Sequence, residues 1–318
     1  MVASLTIETA FLSSRRRLWG LCYRMTGVAA DADDLVQETF VRAVEASPSL
    51  QGNELERWLV RVATNLSLDS LRRRKRRRYP GQWLPSPVED DEGARGDGPS
   101  GTVGEGVDAG YERAAQVSYA FMVALEALGP RARAALLLID VLDYTAAEVA
   151  AILETSEGNV RVLHHRARRL IDTCDLEAVL SPDARARQRV ALERLVMCMM
   201  QQDAAGMEAL LTDEVRSITD GGGRYTALKL PLAGRKSVVR FHLETARRRA
   251  PISRSEFRFV NGTAALIVET KPLRPQMAPR LVLRCEVDAA GRIYLLQTVL
   301  APHKLTAVRF GATEPPAL

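Results

Sequence analysis

Arg161, His164, His165, Arg166, Arg168 and Arg169 crowd into the segment Ser156-Glu-Gly-Asn-Val-Arg-Val-Leu-His-His-Arg-Ala-Arg-Arg-Leu170. On one helix, side chains of these types bond base edges and phosphates. Arginine can bond guanine bidentately, and an α-helix fits the major groove of DNA. A short helix from Thr145 to Leu153 precedes the segment across the turn Glu154-Thr155, which is the pattern of a helix-turn-helix. Early positions of a recognition helix face bases, so Arg161, His165 and Arg166 are candidate base contacts, with His164 placed less directly. Arg168 or Arg169 would bond phosphate, which positions the helix without reading sequence. The competing expectation is that the histidines are plain surface residues.

A second basic surface lies far upstream. Arg72-Arg-Arg-Arg-Lys-Arg-Arg-Arg78 follows a segment holding Arg57, Trp58, Arg61 and Asn65. Holding a DNA strand single requires cations for its phosphates and an aromatic or shaped pocket for unstacked bases. Arg57, Trp58, Arg61, Asn65, Arg72, Arg73 and Arg74 are of the right types, and Asn65 is the best candidate for a base contact. Helical spacing from Leu59 and Val62 equally allows Trp58 to be a core residue. The run Arg76 to Arg78 reads equally as a solvated charge run.

The elements that position these residues are legible from hydrophobic period and punctuation. Residues 7–27 have Phe11, Leu18, Leu21, Cys22 and Met25 near helical spacing, and Gly27 closes the segment. Asp31-Ala-Asp-Asp-Leu-Val-Gln-Glu-Thr-Phe-Val-Arg-Ala-Val44 reads as a helix whose acidic first turn suits the positive end of the helix dipole. Leu35, Val36, Phe40 and Val44 are expected to face the core. A third helix runs from about Glu54 into the basic run. Residues 89–110, rich in Gly, Pro, Asp and Glu, are expected to be a disordered linker. Tyr79-Pro-Gly-Gln-Trp-Leu-Pro-Ser-Pro87 carries aromatic and apolar anchors and is expected to dock somewhere. Helices resume over 112–128 and 131–141. Thr145 and Glu148 form a capping box and Ser156 an N-cap. From about Pro182, helices run to about Leu211, then strands over 215–219, 257–260, 264–269, 281–287 and 293–299, with a hairpin turn over 288–292. That order predicts an α+β domain with a meandering antiparallel sheet.

Size and charge bound the possibilities. The 318 residues are enough for two or three domains, and a mean hydropathy of -0.10 is that of a globular protein. No apolar run approaches the roughly 18 residues of a membrane span, and the N-terminus lacks the pattern of a secretion signal, so a cytoplasmic protein with no membrane partner is expected. Net charge is +5 over residues 1–78, -6 over 79–110, -2 over 111–175 and +8 over the remainder. Basic modules favour polyanions. Cys22, Cys174, Cys198 and Cys285 form no Cys-x-x-Cys pair, so no metal site, disulfide or cofactor is expected.

Together these segments resemble a bacterial RNA polymerase sigma factor of the extracytoplasmic-function type, over residues 5–172. The resemblance implies that the helix of residues 31–42 grips core RNA polymerase through Asp31, Asp33, Asp34, Leu35, Gln37, Glu38 and Phe40. It implies that Trp58-Leu-Val-Arg-Val-Ala-Thr-Asn-Leu-Ser-Leu-Asp-Ser-Leu-Arg-Arg73 reads and melts the minus-ten element of promoter DNA. The helix-turn-helix would read the minus-thirty-five element. The chain continues beyond a minimal sigma factor, and the extension resembles a SnoaL-like domain. Three motifs carry that resemblance: Trp83-Leu-Pro-Ser-Pro87, Asp220-Gly-Gly-Gly-Arg224 and Ala301-Pro-His-Lys-Leu305.

The implied architecture is multidomain: an all-α region-two domain (1–78), a linker (79–110), an all-α region-four helix-turn-helix domain (111–178) and an α+β SnoaL-like cone (182–318). Trp83, Leu84, Pro85 and Pro87 with Asp220, Gly221, Gly222, Gly223 and Arg224 would make a regulatory contact between parts of the chain. Such a cis-acting domain implies no separate anti-sigma factor. Two alternatives stay open. One is a stand-alone helix-turn-helix regulator. The other is a ligand-sensing or enzymatic cone fused to a DNA-binding module, with Asp220, His242 and Glu269 as candidate acids or bases and a small-molecule ligand. No spacing ties those three residues together, and no enzyme is expected.

Overall fold

The computed structural model describes residues 2–46, 50, 52–77, 79–89, 119–172 and 181–308. The expected linker beyond Glu89, the helix start at 112–118, Cys174 and Arg78 lie outside them. The described residues fall into two units, one drawn from 1–78 and 99–174, the other from 79–98 and 175–318.

The first unit is all-α. Helices α1 (Val2–Thr26), α2 (Ala29–Ala46) and α3 (Gly52–Arg77) pack together. Helix α2 buries Ala32, Leu35, Val36, Thr39, Phe40 and Ala43, one stripe of period 3.6. Phe11 of α1 meets Phe40 edge-on with ring centroids 3.7 Å apart. Val44, an expected core residue, is 62% exposed. Ala43, fully buried, continues the stripe at that level, and Val44, a further turn of about 100° around the helix, is rotated off it. Helices α4 (Tyr119–Ala127), α5 (Pro130–Asp140), α6 (Ala146–Leu153) and α7 (Glu157–Ile171) follow. Pro130 opens α5, where its missing N–H costs nothing. The capping box at Thr145 and Glu148 and the N-cap at Ser156 form as expected. Between them Glu154 adopts a left-handed φ of 51°, which turns the chain from α6 into α7.

In the second unit, α8 (Pro182–Gln201), α9 (Ala204–Leu210) and α10 (Arg235–Arg248) cover one face of a six-stranded sheet. The strands are β1 (Leu211–Asp220), β2 (Leu232–Ala233), β3 (Ile252–Val260), β4 (Thr263–Thr270), β5 (Arg280–Val287) and β6 (Ile293–Val299), in the order β2-β1-β6-β5-β4-β3. Register shifts in three of the pairings bend it into the wall of an α+β cone. Two features depart from the expected antiparallel meander. Helix α10 lies where no element was expected, and β1 pairs with β6 in parallel. A parallel neighbour needs a crossover connection, which the long stretch from Gly221 to Arg292, α10 included, supplies. The cone is filled by Leu192, Leu195, Met207, Val215, Val238, Leu283, Cys285 and Leu296, among others. Each such side chain stabilises the fold by about 1.5–3 kcal/mol.

Candidate functional site

Three groups of side chains stand out, each within one unit. The first is the outer face of α2. Asp33, Asp34, Gln37 and Glu38 are exposed there and Asp31 is half-buried. Asp33 accepts a hydrogen bond from the Trp19 indole at 2.8 Å, and Glu38 pairs with Arg42 at 2.9 Å. Leu35 and Phe40, expected on this surface, are 6% and 8% exposed. They are the core anchors that set which face of α2 points outward, and not part of that face.

The second group joins α3 to the helix-turn-helix. Arg57, Arg61, Arg72 and Arg73 are exposed on α3, and Trp58 and Asn65 are half-buried. Arg57 is not free: its guanidinium lies 2.7 Å from Glu148, the same carboxylate that caps α6. Arg61 lies 3.8 Å from Glu154 in the turn. Arg74, expected in a DNA groove, faces inward. It donates to the Thr26 carbonyl at 2.7 Å and pairs with Glu126 of α4, which also holds Arg133 at 3.0 Å. Arg133 is 3% exposed and donates to the Met25 carbonyl at 2.6 Å. Burial lowers its pKa, and the Glu126 charge opposes that shift. Arg74 and Arg133 are thus struts between helices. Glu148 is held below the usual carboxylate range by hydrogen bonds from the Thr145 backbone and hydroxyl, with Arg57 adding to the effect.

On α7, Val160 and Ala167 are buried and turn the opposite side outward. Arg161, His165, Arg166 and Arg169 are exposed, with Arg161 paired to Glu157 one turn earlier at 2.9 Å. His164 and Arg168 do not share that surface freely. Asp140 of α5 bonds both, at 2.7 Å and 2.9 Å. Residues 164 and 168 are one turn apart on the flank facing α5, so one carboxylate reaches both.

The third group is a strap. Residues 79–89 lie against the sheet of the second unit, as the anchors in that segment led us to expect. Asp220, at the end of β1, is fully buried and accepts from the Tyr79 hydroxyl at 2.6 Å and the Leu84 amide at 2.9 Å. Lys304, also fully buried, sits 2.6 Å from Asp220 and donates to the Leu84 carbonyl at 2.6 Å. Its ammonium lies 4.5 Å from the Tyr79 ring centroid and 4.2 Å from that of Trp83. One cation is therefore neutralised by a carboxylate, bonded to the strap backbone and boxed by two aromatic faces. Leu84, Pro85, Ser86 and Pro87 are buried behind it.

The glycine run has a steric reason. A Cβ on Gly223, at φ 73°, would lie 2.5 Å from Pro80 of the strap, and one on Gly222 would lie 2.8 Å from Ala301. Arg224, expected to join this contact, is exposed and packs over its neighbour Tyr225. Lys304 supplies the cation in its place.

A second anchor lies at the far end of the strap. Asn261 exchanges hydrogen bonds with Val88, each 2.9 Å, and Glu89 pairs with Arg258 at 2.8 Å. Asn261 and Gly262 both have positive φ, forming the tight turn between β3 and β4. Sequence reasoning missed Arg258, Asn261 and the decisive place of Lys304, although the Asn-Gly dipeptide and the Ala301–Leu305 motif were visible signals.

Of the three candidate acids or bases, Asp220 belongs to the strap and Glu269 pairs with Arg280. His242 is sealed in the core beside the Ser217 hydroxyl at 3.0 Å, and burial pushes its pKa down to about 4. The structure does not bring the three together. Among the described residues there is no group of three or more His, Cys, Asp or Glu that could hold a metal ion, and no helix is long and apolar enough to cross a membrane.

Comparison with known proteins matches residues 10–77 to Sigma-70 region 2 and residues 118–171 to Sigma-70, region 4. The chain is 32% identical over 308 residues to the ECF RNA polymerase sigma factor SigJ of Mycobacterium tuberculosis, covering 93% of this chain and 92% of that protein. It is 37% identical over 224 residues to the ECF RNA polymerase sigma factor SigG of the same species, covering 63% and 57%. The crystal structure of SigJ from Mycobacterium tuberculosis superposes with a TM-score of 0.66 at 28% identity, covering 94% of this chain and 98% of that one.

Proposed function

The chain belongs to the ECF RNA polymerase sigma factors, and from that premise we propose how its parts divide the work. As a sigma factor it binds core RNA polymerase and promoter DNA to initiate transcription, and it is not an enzyme. In our reading, residues 1–78 form the region-two domain, 111–178 the region-four domain and 182–318 the regulatory cone. The exposed face of α2, with Asp31, Asp33, Asp34, Gln37 and Glu38, docks on core polymerase. Helix α3 takes the minus-ten element through Arg57, Trp58, Arg61, Asn65, Arg72 and Arg73. Helix α7 takes the minus-thirty-five element, with Arg161, His165 and Arg166 on bases and Arg169 on phosphate. The protein works in the cytoplasm, where core polymerase is.

The arrangement described for the helical unit is a resting state. Minus ten and minus thirty-five lie about 25 base pairs apart, roughly 85 Å along B-DNA at about 3.4 Å per pair. Arg57 of α3 touches Glu148 of α6 at 2.7 Å. The two reading helices cannot engage both elements while that contact stands, so the domains separate on the promoter. Fully extended, residues 90–118 reach about 100 Å at roughly 3.4 Å each.

The cone controls that separation through the strap. The observation that carries this reading is the buried Asp220–Lys304 pair closing on Leu84, which fixes the start of the inter-domain chain to the cone. A cone so tied regulates in cis, without a separate anti-sigma factor. Its filled core favours protein contact over a small-molecule ligand. The test uses Tyr79→Phe, which removes one strap bond and leaves the buried ion pair whole. Transcription from a cognate promoter is expected to change by severalfold with the melting temperature held within about 2 °C. Unchanged transcription by both Tyr79→Phe and Asn261→Ala would overturn the strap's role.

A further inference from the structure

We propose that the outward face of α8 and α10 is a third DNA-contacting surface, one that binds duplex phosphates without reading sequence. The inference concerns the cone's own chemistry and is tested independently of its place in transcription. Residues 176–318 carry a net charge of +8. Helix α8, helix α10 and Arg249 hold ten cations against three carboxylates, so seven of those eight charges sit on two helices. Those helices touch one another and cover the same face of the sheet, so their outward sides form one surface.

Elsewhere in the unit the pattern is different. The sheet's arginines are mostly neutralised: Arg254 by Glu256, Arg258 by Glu89, Arg280 by Glu269, Arg284 by Glu286 and Arg292 by Asp288. On the helices Arg189 pairs with Glu193, Arg235 with Asp213, and Arg247 and Arg248 share Glu244, but Arg187, Arg194, Lys236 and Arg240 are exposed and have no carboxylate partner among the described residues. Spacing aligns them. Lys236, Arg240 and Arg247 fall within about 40° of one another around α10, and Arg187 and Arg194 within about 20° around α8 at 3.6 residues per turn. From Lys236 to Arg247 is about 16 Å, a length over which one strand of B-DNA presents about five phosphates.

Charge alone would also suit an anionic lipid surface, but a membrane-surface helix needs an apolar face to bury. The exposed residues of α10 are Lys236, Arg240, Thr245, Arg247 and Arg248, none of them apolar, whereas α8 also exposes Val190, Met197 and Met200 beside its cations. The all-polar exposed side of α10 therefore carries the preference for phosphates in water, and the chain's established partner supplies them in duplex form.

The experiment measures binding of the full chain to a scrambled 40-base-pair duplex across a salt series. Three variants are compared with wild type: Lys236→Ala/Arg240→Ala, Arg187→Ala/Arg194→Ala, and the paired control Arg292→Ala. Wild type is expected to bind at low salt. The slope of log K against log salt is expected to fall by about 1.8 in the α10 variant, at about 0.9 for each phosphate no longer neutralised. The control stays at the wild-type slope, and melting temperatures confirm that all variants fold. Reconstituted holoenzyme on a promoter with long flanks should show the same decrease in slope, whereas on a promoter trimmed to its two elements it should not. Failure of the holoenzyme to transcribe at all would count against the sigma reading and leave the scrambled-duplex result standing. The proposal is overturned if wild type has no affinity for duplex, or if slope and affinity are unchanged in both helix variants. Loss of binding to phosphatidylserine vesicles, with duplex binding intact, would likewise overturn it by assigning the face to lipid.

Discussion

Lys304 is the residue on which the strap turns. It is fully buried, so its charge is tolerated only because Asp220, the Leu84 carbonyl and two aromatic rings surround it. Lys304→Met leaves Asp220 buried without a cation, which typically costs about 3–5 kcal/mol. Chemical denaturation should show that loss, and the double variant Asp220→Asn/Lys304→Met should recover part of it. A loss below about 1 kcal/mol would mean the pair is not closed. His242 makes a separate prediction. Its pKa of about 4 in the folded protein lies below the 6.5 of the free side chain, because burial opposes charging. The folded state therefore binds the proton more weakly than the unfolded one. Stability from this site is full above pH 6.5 and declines as pH falls from 6.5 to about 4, by roughly 3 kcal/mol in total. His242→Gln should flatten that part of the pH profile in urea titrations. An identical profile in the variant would show that His242 is not the group responsible. Individual side chains were only partly legible from sequence. Asp220 and the glycines were found through their motif, whereas Lys304 was passed over for Arg224 because nothing in the sequence says which cation the fold turns inward.

At the scale of elements, the pairing of α3 with the helix-turn-helix is held by contacts that charge can break. Glu148 both caps α6 and pairs with Arg57. Gln can also close a capping box, so Glu148→Gln keeps the cap and removes the attraction to Arg57. With Glu154→Gln it should loosen the closed arrangement and speed promoter binding by severalfold in stopped-flow fluorescence, with helicity unchanged. No change in rate would show that these pairs do not restrain the domains. Exposed pairs each contribute only about 0.2–1 kcal/mol, which suits a contact that must open. The helices of the first unit were legible because their apolar stripes, caps and Gly-Pro punctuation agree. Helix α10 was not read, although Val238, Val239, His242 and Ala246 keep a helical period. Its start hides behind Gly234 at φ 89°, which offers no side-chain cap, and paired valines imitate a strand. The parallel β1–β6 pairing was missed because the two strands are separated by more than 70 residues and meet only through the fold.

On the scale of the whole molecule, the chain is a sigma factor whose inter-domain segment is tied to a cone it carries itself. The two-domain sigma plan and the extra α+β domain were legible in the sequence, because each rests on segments of contiguous pattern. The strap's second anchor was not, since Val88 and Asn261 lie 173 residues apart and meet only through the fold. The direct test is run-off transcription with purified core polymerase, on promoters selected from a random library. Full-length protein would be compared with truncations ending near residue 178 and just after Arg224. Promoter-specific transcripts are expected from the full chain, with a yield that changes when the cone, and with it the strap's anchor, is removed. Transcripts of equal yield from all three proteins would contradict control by the cone, and no transcript from any of them, with no binding to core polymerase, would contradict the sigma function itself.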